Sequence, residues 1–278
     1  MLRGYYTAAS GMRTQQRRQD TLSNNIANAQ TPGFKQDQAM TRSFPELLVK
    51  RMGDETIKTR TNKQLSLSNK VGPLTTGVYV HETLVDQTQG TMQETGMTTD
   101  IALVNGTLPD ADGSLFFTVQ NAEGEARYTR NGNFTVDGEG YLTTNQGYYV
   151  LDETGEPVFT GGQTFDVTPD GIVQVAGANI PLQINYTANT DDLIKDDENL
   201  FALTEQEGEV VGEMNNARGT DGVTFTTQQG YLEASNVDEG QTMVEMMEAY
   251  RLFESNQQVV KAYDKSMEIA VNQIGRLN

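Results

Sequence analysis

Apolar residues recur every three or four positions along both ends of this chain. At the start they are Leu2, Tyr5, Ala9, Met12, Gln16, Gln19, Leu22, Ile26 and Ala29, counting the glutamines that hold the spacing. At the end they are Met243, Met246, Tyr250, Phe253, Gln257, Val260, Asp264, Met267, Val271 and Ile274. Steps that alternate three and four make a heptad seam, the mark of a helix that packs along another helix. Gln16, Gln19, Gln257 and Asp264 stand where Leu or Ile would give a strong isolated coiled coil. Polar residues in a seam cost stability and restrict register and partner. The plainer alternative is an ordinary core-packed helix in a single globule.

The first seam ends in "TLSNNIANAQTPGFK", residues 21–35. Ser23, Asn24, Asn25 and Asn28 compete for backbone hydrogen bonds, which weakens a helix interior and favours its ends and polar interfaces. Pro32 disfavours helix at Thr31, and Gly33 permits the turn that follows. The expected first helix therefore stops after roughly 28 residues, about 40 Å at 1.5 Å per residue.

Between the ends the pattern changes. From Leu115 the chain reads LFFTVQ–NAEG–EARYTR–NGN–FTV–DGEG–YLTTNQGYYVL–DETG–EPVF. Short β-rich runs broken by Asn-Gly, Asp-Gly and Glu-Thr-Gly turns are the signal for stacked hairpins, and TPDG followed by IVQV continues it. DDLIKDDE (191–198) reads as a helical or loop excursion, after which LFALTEQEGEVVGEM returns to strand and turn. The expected fold class is α+β: long N- and C-terminal helices pairing as a coiled coil, with a central antiparallel, hairpin-rich β domain closed as a small barrel or sandwich. The expected divisions are 1–35 (first helix), 36–70 (extended basic connector with few apolar anchors beyond FPELLV), 71–235 (β domain) and 236–278 (last helix).

Charge is divided along the chain. The first 70 residues carry 12 Lys/Arg and 5 Asp/Glu, whereas 71–235 carry 4 and 26. Such asymmetry attracts copies head to tail, or merely keeps the protein soluble. The acidic middle makes nucleic acid a poor partner, since phosphate contacts need Lys and Arg. No apolar run approaches the roughly 18 residues of a membrane helix, so no integral membrane segment is expected. The start lacks the apolar stretch of a cleaved secretory signal. Cysteine is absent, which removes disulfides, thiolate zinc sites and a cysteine nucleophile.

Catalytic motifs are missing as well. There is no GxxxxGK loop, no GxSxG elbow and no HExxH, and His81 is the sole histidine. The DADG (110–113) and DGEG (137–140) stretches hint at calcium loops but lack the spaced ligands and terminal Glu, and hairpin turns explain them more simply. Asp191, Asp192, Asp196, Asp197 and Glu198 read as a solvated acidic face. No residue pattern marks a catalytic, cofactor or metal site.

Three stretches carry a family resemblance. "LSNNIANAQTPGFK" resembles the N-terminal signature of the flagellar hook–basal-body family of axial rod, hook and hook-associated proteins. "YLEASNVDEGQTMVEMMEAYRLFESNQQVVKAYDKSMEIA" resembles that family's C-terminal helix and its lead-in. "DIALVNG…LFFTV…YTRNGNFTVDGEGYLTTNQGYYVL" is similar to its middle β domain. One departure is TLPDADGSL, inserted between Gly106 and Phe116.

The resemblance implies a structural subunit of the bacterial flagellar basal-body rod, of proximal or distal rod type and not an enzyme. It would polymerise into a helical tube through its terminal helices and transmit torque from motor to hook. Implied partners are copies of itself, other axial rod and hook subunits, and the flagellar (type III) export apparatus, with no cofactor. The implied location is the basal body in the cell envelope, reached without a cleaved signal peptide. The candidate assembly interface comprises Leu2, Tyr5, Met12, Leu22, Ser23, Asn24, Asn25, Ile26, Asn28, Pro32, Gly33 and Phe34. From the last helix it adds Met243, Met246, Tyr250, Phe253, Gln257, Val260, Asp264, Met267, Val271 and Ile274. A secreted β-domain adhesin and an envelope polysaccharide-cleaving enzyme are the alternatives. The first leaves the seams unexplained, and the second needs a fixed carboxylate pair.

Overall fold

A computed structural model describes residues 2–45, 47–51, 56–58, 64–66, 69–110, 112–196, 199–203 and 214–274. The chain is α+β, with one long helix at each end and antiparallel strands between. It divides into two units: Met1–Ser23, Gln38–Thr83 and Gly240–Asn278 form one, and Asn24–Asp37 with Leu84–Glu239 form the other.

Helix α1 spans Leu2–Ala27 and α2 spans Glu239–Ile274, and the first unit holds them up to Ser23 and from Gly240 onward. At 36 residues, α2 is about 54 Å long. Its composition explains its length: Met, Glu, Ala, Gln and Lys recur, with no Pro and no Gly between Gly240 and Gly275. Glu239 in the first turn complements the positive end of the helix dipole.

The two helices run antiparallel. The Tyr263 hydroxyl lies where a Cβ on Gly4 would stand, the Asn256 amide lies 3.1 Å from a Cβ built on Gly11, and Arg18 pairs with Glu245 at 3.2 Å. A glycine inside a helix costs about 1 kcal/mol relative to alanine. Here two of them, seven residues apart, let the second helix approach closely.

The covered positions of α2 are Thr242, Met246, Ala249, Phe253, Asn256, Val260, Tyr263, Met267 and Ala270, with Glu245 and Gln257 beside them. The seam read from sequence shares Met246, Phe253, Val260 and Met267 with this set. Its alternate members Met243, Tyr250 and Val271 are instead 55%, 60% and 73% exposed, and Asp264 is exposed too. Packing inside the chain follows small residues such as Ala249, Gly4 and Gly11, whereas the apolar pattern favours large ones.

The segment read as a connector supplies paired strands. Asp37–Ser43 pairs with Val78–Val85, Leu47–Arg51 with Asn69–Leu74, and Thr56–Lys58 with Gln64–Ser66. Against the first of these ladders lies α1, whose Thr7 and Thr14 hydroxyls donate to the Thr76 and Val78 carbonyls at 2.9 and 3.0 Å.

The second unit is built on Ser114–Gln120. This strand pairs antiparallel with Ala126–Thr129, Tyr149–Val150 and Ile184–Thr187 within a nine-stranded sheet. Its side chains are buried without alternation because both faces are covered. Leu115, Phe117 and Val119 enter one core with Ile101, Phe134, Leu142 and Ile184, while Phe116 enters a second with Tyr128, Phe201 and Met214. A three-stranded sheet, Asp166–Val167, Ile172–Val175 and Ala178–Pro181, contributes Val173 and Val175 to the larger core.

The hairpin turns share one device. Asn121, Asp137 and Asp152 each accept two backbone N–H groups through a single Oδ1, from residues two and four further on. These are Asx-type turns, and they account for the DGEG stretch. The inserted TLPDADGSL loop is pinned: Thr107 and Thr224 exchange backbone and hydroxyl hydrogen bonds, and the Tyr186 hydroxyl donates to Asp110 at 2.8 Å. The DDLIKDDE stretch differs from the reading as a helical or loop excursion. After a short 3-10 turn, Leu193–Lys195 is a strand paired with Leu200–Leu203. Residues 197–198, 204–213 and Glu46 of FPELLV lie outside the described residues.

Candidate assembly interface

The Asn-rich end of α1 is held within the second unit by its own amides. Asn25, fully buried, donates to the Asp37 carbonyl at 2.8 Å and accepts the Asp37 N–H at 3.0 Å, closing the chain back on itself. Asn28 donates to the Asn24 carbonyl and accepts from the Thr31 hydroxyl. Gly33 takes a left-handed φ of 70°, and a Cβ there would stand 2.6 Å from the Arg130 carbonyl carbon. Phe34 is buried beneath Lys195, whose Nζ lies 4.0 Å from the ring centroid and 3.1 Å from the Asp37 carboxylate.

Beside this turn lies a buried ionic knot that the sequence reading did not assign. The Lys35 Nζ meets Glu233 Oε1 at 2.6 Å, and the Arg130 Nε meets Glu233 Oε2 at 2.6 Å. All three residues are at most 2% exposed. The remaining donors of Arg130 go to the Leu115 and Leu103 carbonyls and to Asn105 Oδ1 at 2.7–2.9 Å. Lys35 also donates to the Thr88 carbonyl at 2.7 Å, and the Gly90 N–H donates to Glu233 at 2.8 Å. Burial pushes the Lys35 pKa below its usual value against the pull of Glu233. Burial pushes the Glu233 carboxyl up, but Arg130 and Lys35 outweigh it and hold the group below the usual carboxylate range. Nearby, Asn236 accepts the Gln36 N–H at 2.8 Å and donates to the Asp86 carbonyl at 2.8 Å.

The sequence-derived interface residues fall into three sets. Leu22, Asn25, Gly33 and Phe34 are buried within the chain. Tyr5, Met12, Ile26, Asn28, Pro32, Met246, Phe253, Gln257, Val260 and Met267 are half-buried. Ser23, Asn24, Met243, Tyr250, Asp264 and Val271 are exposed. The side chains of Leu2 and Ile274 lie outside the described residues. The sequence reading did not single out Val244, Met247, Leu252, Val259 and Ile269, which give α2 further exposed apolar surface. The signal for them was present, since a helix that is apolar on several sides is a buried helix.

Among the described residues, no group of three or more His, Cys, Asp or Glu could hold a metal ion, and no helix is long and apolar enough to cross a membrane. His81 sits edge-on to Tyr79 at 6.0 Å in the strand Val78–Val85.

The terminal helices carry uncovered apolar surface, and the β unit is closed around its own core. Comparison with known proteins gives the family. Residues 6–35 match the family "Flagella basal body rod protein", residues 111–175 the "Flagellar hook protein FlgE/F/G D1 domain", and residues 228–274 the "Flagellar basal body rod FlgEFG protein C-terminal". The chain is 36% identical to the flagellar hook-basal body complex protein FlhO of Bacillus subtilis, over 100% of both chains. It is 33% identical to the basal-body rod protein FlgG of the same organism, over 98% of this chain and 99% of that one. It is also 32% identical to the rod protein FlgF of Caulobacter vibrioides, over 98% of each. This chain belongs to the flagellar hook–basal-body rod protein family and is a rod structural subunit of the flagellar basal body. The knot takes one residue from each matched segment: Lys35, Arg130 and Glu233.

Proposed function

We propose that this subunit polymerises into a helical tube whose wall is built from α1 and α2, paired as a coiled coil and packed against the same helices of neighbouring copies. The tube carries torque from motor to hook. The subunit meets other rod and hook proteins at the ends of its segment. It leaves the cell through the flagellar export apparatus without a cleaved signal peptide. The exposed and half-buried residues of the two helices, with the exposed amides of the turn, form the interface.

The observation that carries this reading is the uncovered surface of α2. Met243, Val244, Met247, Tyr250, Leu252, Val259, Ile269 and Val271 are all more than 40% exposed. At about 1 kcal/mol for each half-exposed side chain that becomes covered, they supply on the order of 8 kcal/mol. That is comparable to the roughly 4–15 kcal/mol that association costs, so one neighbour gives weak binding and several are needed. Heterologous contacts that do not close give an open filament. Electron microscopy of the concentrated protein tests this. Wild type should form rods or tubes, and Met243→Lys with Met247→Lys should abolish them. Single particles at every concentration would refute the reading.

A further inference from the structure

The basic face of α1 borders a groove of about 770 Å³, lined by Arg3, Tyr6, Arg13, Arg17, Phe44 and Val78 among others. Tyr6, Phe44 and Val78 are 63%, 38% and 39% exposed. None of the three arginines takes part in an ion pair among the described residues. An apolar floor with an unpaired cationic rim is built for an apolar strip edged with carboxylates.

We infer that this groove receives α2 of a second copy of the chain, with Glu254 and Glu268 of that copy against Arg17 and Arg3. This rests on the tube-forming reading above and names its contact. Three observations select the occupant. Arg3 and Arg17 are separated by 14 positions, as are Glu254 and Glu268, so each pair spans about 21 Å and nearly four turns along one side of its helix.

Direction is the second. Within one chain α1 and α2 are antiparallel, and copies stacked along the helices keep that sense. Arg3 then meets Glu268 of the second copy while Arg17 meets its Glu254. In this register Lys261 and Lys265, the basic residues of the stripe, face Ser10 and Tyr6 and not an arginine. The third observation is availability. Glu254, Asp264 and Glu268 are exposed, and beside them Tyr250 and Val271 offer the apolar part of the strip. The other exposed stripe, Leu252 and Val259, lies in line with Glu245, which is already paired with Arg18.

The natural absence of cysteine permits a clean test on the full-length chain. A Ser10→Cys variant and a Lys261→Cys variant, mixed and treated with a short bis-maleimide, should give a covalent dimer, and neither alone should. Adding Arg3→Glu and Arg17→Glu to the first should cut the yield about tenfold or more, because like charges then face each other. Adding Glu254→Arg and Glu268→Arg to the second should also cut it, and combining both reversals should restore it. Restoration excludes misfolding as the cause of the loss. If the copies associate in sedimentation but the cross-link is missing or indifferent to both reversals, the groove assignment is wrong and the assembly reading survives. If copies never associate, both fall.

Discussion

Replacing Glu233 with Gln keeps the shape of the knot and removes its only anion. The side chains of Lys35, Arg130 and Glu233 are all within 1% of full burial, so wild type holds two cations against one carboxylate, and Glu233→Gln leaves two buried cations unopposed. Breaking a buried pair by removing one partner costs about 3–5 kcal/mol. With a urea slope of about 2 kcal/mol/M for a unit of this size, the unfolding midpoint should fall by roughly 1.5–2.5 M. Lys35→Met makes the contrast. It discards the surplus charge and leaves a neutral Arg130–Glu233 pair, at the cost of the hydrogen bonds to Glu233 and the Thr88 carbonyl. It should therefore destabilise less than Glu233→Gln. Urea unfolding followed by tyrosine fluorescence measures both variants in one experiment. A larger loss for Lys35→Met, or a loss below about 1 kcal/mol for Glu233→Gln, would refute the charge-balance reasoning.

Acid should unfold the second unit through the same group. The folded pKa of Glu233 lies below its ordinary 4.5, so its stabilisation is complete above that value and is lost as pH falls through the lower, folded one; in Glu233→Gln the stability–pH curve should be flatter there. Gly4→Leu should lower the melting temperature of the helix signal although leucine is the better helix former by about 1 kcal/mol, because the new side chain must displace the Tyr263 ring at a cost of about 1–3 kcal/mol. A rise in melting temperature would count against close approach at Gly4. Asp152→Ala removes an acceptor that serves the N–H groups of Thr154 and Glu156; at about 0.5–1.5 kcal/mol per bond, chemical denaturation should register a loss of roughly 1–3 kcal/mol, and no loss would mean that the turn holds by backbone geometry alone.

Local physics was legible in the sequence. Both helices were readable from apolar spacing, and α1 ends at Ala27, close to where the asparagines and Pro32 predict. The turns at NAEG, DGEG and DETG were readable because an Asx residue organises its own loop within four positions. Non-local choices were not. Two faces of α2 satisfy the same spacing and share every seventh residue, and only the glycines of the opposite helix decide which one packs inside the chain. Leu193–Lys195 carries too much charge nearby to read as a strand, and its pairing with Leu200–Leu203 overrides that propensity. The knot joins residues 198 and 103 positions apart, which no local pattern reports. It also explains why residues 24–37 group with the β strands and not with the helix that leads into them.

Hydrogen exchange compared between dilute and concentrated full-length protein tests most directly the claim that the terminal helices are the assembly surface. On concentration, protection should rise along α2 from Val244 to Val271 and along α1, while Ser114–Gln120, already covered on both faces, should not change. Protection that rises in the β unit and leaves α2 unaltered would contradict the account, because assembly would then run through a surface other than the helices.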